Sequence, residues 1–85
     1  MGYKSRRVIY ATHALERAKQ RGISRQDILD VLEAADVEYP SEECPGRRVL
    51  RKRFSKSYEV GVVIVPPTGD DDEVGVITAW ANRGS

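Results

Sequence analysis

Tyr58-Glu59-Val60-Gly61-Val62-Val63-Ile64-Val65 is the stretch that decides the fold. Val60, Val62 and Ile64 alternate with Gly61, Val63 and Val65, so a strand here is apolar on both faces and belongs in the middle of a sheet. β-Branched and aromatic runs flank it, Arg47 to Phe54 before and Glu73 to Trp80 after. The links Ser55-Lys56-Ser57 and Pro66 to Asp72 are too short for a parallel crossover, which needs about a dozen residues or more. The expected product is an antiparallel meander of three strands, four if Val37 to Tyr39 joins. One face of that sheet must be covered by helices, and the other is partly covered.

The helices precede the sheet. Thr12 is a good N-cap for a helix running to Arg21, and Gly22 ends it at low cost in a left-handed conformation. Ser24 caps a second helix, with Asp27 in the capping-box position and Ile28, Leu29, Val31 and Leu32 on its apolar side. The turn Gly22-Ile23-Ser24 joins the two as a helical hairpin. Val8-Ile9-Tyr10 reads as a short edge strand. The fold class is therefore α+β: an N-terminal helical hairpin, at about residues 12–35, packed on a three- to four-stranded antiparallel sheet at about residues 37–81. Residues 1–85 make one domain, since domains run from about 50 to 250 residues.

Composition narrows the chemistry. The one cysteine, Cys44, cannot form an internal disulfide, and with the one histidine, His13, it leaves no Cys/His cluster, so neither a metal nor a cofactor is expected. No apolar run approaches the roughly 20 residues of a membrane span, and a reduced, cytoplasmic setting is the expectation. Net charge is only +1, yet it is segmented. Residues 1–25 and 46–60 are strongly basic, whereas 26–45 carry seven acids and no base and 61–85 are acidic. Two basic blocks meeting in space would form an anion-binding surface, while the same blocks also read as mutually neutralising solvated faces.

On the first helix Ala11, Ala14, Leu15 and Ala18 form the stripe expected to face the sheet. His13, Arg17 and Arg21, four residues apart, form a second stripe beside it, where a phosphate could meet an imidazole and two guanidinium groups. His13, placed in the first turn, suits a general acid or base. Arg17 is the second catalytic candidate, stabilising charge on phosphate oxygens. In Arg47 to Phe54, Leu50 and Phe54 share the core side and Arg51 and Arg53 point away from it with Val49. Arg48, Arg51, Lys52 and Arg53, with Arg21, are the candidate nucleic-acid contacts, although a basic edge strand also serves simply to deter aggregation. Thr78 and Trp80 are placed on the same face of the last strand as Val74 and Val76, Trp80 as a core anchor in preference to a base-stacking platform. Asp70-Asp71-Asp72-Glu73 reads as a solvated hairpin tip.

The string from Thr12 to Ile28 resembles the opening of a small bacterial and phage family known as domain of unknown function 4258. Its members read T-x-H-A-x-x-R-x-x-x-R-G-I-S-x-x-D-I, followed by basic and valine-rich strands with a valine/isoleucine-threonine ending. Val76-Ile77-Thr78 matches that ending. The family in turn resembles the ribonuclease folds of RelE-type toxins, barnase-like nucleases and tRNA-cleaving colicins, which cleave RNA in a groove without metal. That resemblance implies roles for His13 and Arg17, for Arg51 or Arg53, and for Thr78 as a third catalytic residue.

The leading expectation is a metal-independent, toxin-type ribonuclease in which the ribose 2′-hydroxyl attacks the adjacent phosphorus. RNA is then the partner, with an acidic antitoxin or immunity protein as a possible second one. Two rivals stand beside it. One is a non-catalytic nucleic-acid-binding module, and the other a small toxin–antitoxin interaction protein whose basic groove takes an acidic partner segment.

Overall fold

The computed structural model describes Tyr3, residues 7–67 and residues 72–84. The elements run β1 (Arg7–Tyr10), α1 (Ala14–Gln20), α2 (Arg25–Ala34), β2 (Val37–Pro40), β3 (Arg48–Ser55), β4 (Tyr58–Val65) and β5 (Glu73–Arg83). All five strands belong to one sheet in the order β1-β5-β4-β3-β2. β2 to β5 form the expected antiparallel meander.

The sheet is larger than the three to four antiparallel strands expected, and it is mixed. β1 pairs parallel to β5, with Val8 opposite Val74 and Tyr10 opposite Val76. The parallel partner is possible because the two helices and three strands between β1 and β5 supply the long crossover that such pairing demands. Asp70 and Asp71 of the acidic tip lie outside the described residues, while Glu73 opens β5 and accepts an ion pair from Arg7.

α2 begins as its sequence dictates. The Ser24 hydroxyl accepts from the Asp27 amide at 3.0 Å, and the Asp27 carboxylate accepts from the Ser24 amide at 3.3 Å. This capping box satisfies two amides that would otherwise lack partners. Ile28, Val31 and Leu32 of α2 are fully buried against Leu50, Val60, Val62 and Ile64. Ile23, in the turn between the helices, also joins this core.

α1 departs from expectation at both ends. The helix is Ala14–Gln20, and its cap is His13, not Thr12, held at φ 70° with no side-chain cap bond. Pairing along β1 continues until the Ala11 amide donates to the Val76 carbonyl, so the chain must reverse within Thr12 and His13. A left-handed residue makes that reversal, and His13 is the one non-glycine with positive φ among the described residues. Ala14 and Ala18 are buried, but Leu15, expected in the same stripe, is 37% exposed. Two alanines a turn apart let the helix approach β5 closely, and Leu15 lies to one side of that narrow contact. Gly22, at φ 72°, closes the helix, and a side chain there would also meet the Arg83 guanidinium.

β5 contains the feature that most changes the expected surface. Val63 pairs with Thr78 and Ile64 with Val76, which leaves Ile77 as the extra residue of a β-bulge. Side-chain parity therefore switches. Val74, Val76 and Ala79 are buried on the helix side, with Ala81 packed beside them, while Thr78 and Trp80 emerge on the opposite face. The expectation that Thr78 and Trp80 share a side with Val74 and Val76 is thus corrected. Trp80 lies over Gly61, its neighbour on β4, and a Cβ at Gly61 would overlap the indole.

That contact can be measured. Gly61→Ala is expected to cost about 1–3 kcal/mol in urea unfolding, as overpacking does. The Gly61→Ala/Trp80→Ala double variant should lose clearly less than the sum of the two single losses, because the clash needs both side chains. Simple additivity would show that Trp80 does not lie on Gly61 in solution.

Candidate functional site

The face of the sheet turned away from α1 and α2 carries three cross-strand rows. Tyr39, Val49, Val63 and Thr78 form one, and Val37, Arg51, Gly61 and Trp80 the next. Arg53, Glu59 and Asn82 form the third. Ile9, Val37, Tyr39 and Val65 are all more than one-third exposed on this face. Among the described residues no element covers this apolar and aromatic surface, which guanidinium groups interrupt.

At its centre Arg51 donates to Glu59 at 2.5 Å, and Asn82 donates to the same carboxylate oxygen at 3.2 Å. The hydrogen bond from Arg51, then that from Asn82, holds the Glu59 carboxyl below its ordinary value. Reciprocally, Glu59 and then Tyr39 push the Arg51 guanidinium above its ordinary range. The Nε of Arg51 is buried without a partner. A cleft at the turn end of the β3–β4 hairpin is lined by Arg51, Arg53, Lys56, Ser57, Glu59 and Asn82. Among the described residues no acidic side chain is hydrogen-bonded to the Arg53 guanidinium or to Lys56. A shallow pocket of about 350 Å³, at the lower end of ligand-pocket sizes, opens on the same face between Tyr39, Ser41, Glu42, Glu43, Val49, Val63 and Trp80.

The basic residues singled out in the sequence divide among three places. Arg51 and Arg53 lie on the uncovered face. Arg48 and Lys52 alternate with them and turn to the helix side, where Arg48 bonds Glu38 at 2.5 Å and Lys52 donates to the Ala34 carbonyl at 3.3 Å. Arg21 lies along the edge of β5 beyond the reach of β1, donating to the Ala79 carbonyl at 2.6 Å. Arg83 returns from β5 to the carbonyls of Arg21 and Gly22. His13, Arg17 and Arg21 therefore follow the β5 edge on the helix side. The expected composite groove, in which that stripe meets Arg51 or Arg53, is not formed, because strand alternation sends those two arginines through to the other face.

His13 precedes the first turn instead of sitting within it. Its Nδ1 is 3.0 Å from a Glu16 carboxylate oxygen, which orients the ring, and the side chain is 62% exposed. Thr78 lies on the neighbouring strand, directed to the uncovered face. Near the far end of α1, the Tyr58 hydroxyl donates to Asp27 at 3.0 Å and the Arg83 guanidinium lies 4.8 Å from the Tyr58 ring centre. Burial, with the Asp27 hydrogen bond second, pushes the Tyr58 phenol up. Among the described residues no group of three His, Cys, Asp or Glu side chains is placed to hold a metal ion, and no helix is long and apolar enough to cross a membrane.

Tyr39, Glu59, Asn82, Glu42 and Glu43 were not legible as site residues. Their placement depends on register and on the path of the 41–46 loop, which no local pattern encodes.

A family model described as domain of unknown function DUF4258 matches residues 10–81. The chain belongs to that family. The match runs from the last residue of β1 to Ala81 in β5, so this family's domain includes both helices and the antiparallel meander. No curated protein and no solved structure matches the chain.

The Arg51–Glu59 pair gives the fold an acid-sensitive element. Because the folded carboxyl lies below the ordinary value of 4.5, Glu59 adds stability above that pH and loses it as pH falls through its lowered value. The effect is expected to stay under about 1 kcal/mol, since the Arg51 side chain is 37% exposed. Glu59→Gln should lower the melting temperature near neutral pH and shrink the further drop seen on acidification to about pH 2.5. An undiminished drop in the variant would remove Glu59 from the acid response.

Proposed function

We propose that this domain binds single-stranded RNA across the uncovered face of its sheet. One observation carries the reading: Trp80 and Tyr39 lie on that face beside Arg51 and Arg53, with Lys56 at its margin. Exposed aromatic faces stack on bases, at about 1–3 kcal/mol per base, and guanidinium groups beside them contact the phosphates between those bases. An extended strand of RNA laid over a twisted sheet can use both at once. The protein's low net charge is compatible with this, because local charge and not the total steers a polyanion.

A second reading, metal-independent cleavage of RNA at the helix-side edge of β5, is favoured by His13. A strained backbone conformation in a residue other than glycine often accompanies function. Here it presents an imidazole whose other nitrogen is oriented by Glu16, the base-and-orienter arrangement of general acid–base sites. In this reading His13 takes the proton of a ribose 2′-hydroxyl as that oxygen attacks the adjacent phosphorus. The 5′-oxygen of the next nucleotide then leaves with a proton drawn from water, a 2′,3′-cyclic phosphate remains, and His13 returns its proton to solvent. Arg17, one turn along the helix, stabilises charge on the phosphate oxygens, whereas Thr78, directed to the opposite face of the sheet, takes no part. A toxin-type ribonuclease of this kind would act in the cytoplasm and be held in check there by an acidic antitoxin.

Two measurements separate these readings. Trp80 is the chain's one tryptophan, so its fluorescence reports stacking directly. Titration with single-stranded 2′-O-methyl RNA, which cannot be cleaved through the 2′-oxygen, should quench it, and affinity should fall steeply as salt rises because phosphate contacts release counterions. Arg53→Ala should weaken binding and reduce the salt slope by about one. Unchanged fluorescence at low ionic strength would overturn the proposal.

Cleavage is tested with unmodified RNA in excess chelator. His13→Asn tolerates the same left-handed backbone and should keep its fold and RNA affinity. Its cleavage rate should fall by about 10²–10⁴-fold if the imidazole is the general base. A rate equal to that of the unaltered protein would exclude that role.

A further inference from the structure

Glu42 and Glu43 sit awkwardly on a face that receives a polyanion. Both line the pocket between Tyr39 and Trp80, and neither is hydrogen-bonded or ion-paired to another side chain among the described residues. Two free carboxylates at this place repel phosphate unless the bound strand turns something other than phosphate toward them. An ionised carboxylate can only accept hydrogen bonds, so whatever satisfies it must present donors.

The rest of the pocket specifies the shape of that donor. Its floor is Val49 and Val63, adjacent in one cross-strand row, and Tyr39 and Trp80 border it from the two flanking strands. Such a slot accepts a flat, aromatic group with a polar edge. Nucleobases differ in the edge they would offer. Guanine presents two neighbouring donors, N1–H and the 2-amino group, spaced to meet the two oxygens of one carboxylate. Adenine and cytosine place an acceptor beside their amino group, and uracil places its single N–H between two carbonyls. Each of these three would direct a lone pair at the carboxylate.

We infer that the pocket between Tyr39 and Trp80 binds a guanine base, with N1–H and the 2-amino group donating to Glu42 or Glu43. The inference rests on the proposed binding of RNA to this face, and it adds a base preference to it. Arg51 lies in the row next to the pocket, through Gly61 beside Trp80, so the phosphates flanking a base seated there run toward Arg51 and Arg53. The acids thus select the base and the arginines hold the backbone.

The test uses three labelled 2′-O-methyl oligonucleotides of equal length: all adenine, adenine with one central guanine, and the same strand with inosine in place of guanine. Inosine keeps N1–H and lacks the 2-amino group. The guanine strand should bind about tenfold or more tightly than either of the others, the size of discrimination a bidentate contact gives. Either Glu42→Gln or Glu43→Gln should erase that preference while leaving affinity for the all-adenine strand unchanged or higher. Both side chains are exposed, so both variants should fold, and circular dichroism checks this.

Equal affinity for guanine and inosine strands, or a preference that survives both substitutions, overturns the guanine assignment while RNA binding stands. Failure of all three strands to bind overturns the RNA reading itself. Displacement of the guanine strand by a short arginine-containing peptide that binds with the pocket carboxylates, and loses affinity in the same glutamine variants, would show that the pocket takes a cationic side chain instead.

Discussion

The whole surface of this domain turns on one extra residue in β5. A regular strand would have to place every second side chain from Val74 to Asn82 on the same side. The bulge at Ile77 releases that constraint. Before it, Val74 and Val76 enter the core on the helix side, with Tyr10 opposite Val76. After it, the alanines at 79 and 81 take the inner side, where α1 comes close enough that larger side chains would push it away. Bulges bend a strand and re-aim the side chains beyond them, and here the re-aiming puts the chain's one indole outside the core. Gly61 completes the device, because only a residue without a Cβ lets the ring lie flat across β4.

Much of the fold was legible because it rests on short-range patterns. The alternation at 58–65 placed β4 inside the sheet, and Val60, Val62 and Ile64 are indeed inaccessible to solvent. The Ser24–Asp27 capping box fixed the start of α2. Leu50 and Phe54 took the core side of β3, and Arg51 and Arg53 the other. Pairing of β1 with β5 was not legible, since nothing local to Val8-Ile9-Tyr10 names a partner so distant. The switch in β5 was legible in hindsight. Small apolar residues move from even positions, 74 and 76, to odd ones, 79 and 81, with polar Thr78 and Asn82 taking the vacated parity. Reading Val74, Val76, Thr78 and Trp80 as one face ignored that Ala79 and Ala81 compete for the same buried side.

The candidate site was less legible than the fold for a related reason. Helical spacing identifies His13, Arg17 and Arg21 as one stripe, and strand alternation separates Arg51 from Lys52. Neither says on which side of the sheet the two sets will fall. The stripe serves partly to protect the protein from itself, since Arg21 occupies the carbonyl of Ala79 along a strand edge that β1 is too short to cover. Arg48 and Lys52 fasten β2 and the end of α2 to β3. Basic side chains that look alike in the sequence are thus divided between holding the fold together and facing outward.

The parallel pairing of β1 with β5 also sets an order of events. Arg7 and Glu73 meet across 66 residues of sequence, whereas β3 and β4 meet across a two-residue turn. The hairpins can form as soon as their strands are made, with little loop entropy lost. β1 can dock only after β5 exists, so in a chain emerging from its N-terminus the first strand of the sheet waits for the last one. Between the completion of β5 and the docking of β1, the Val74–Val76 edge stands open to another strand.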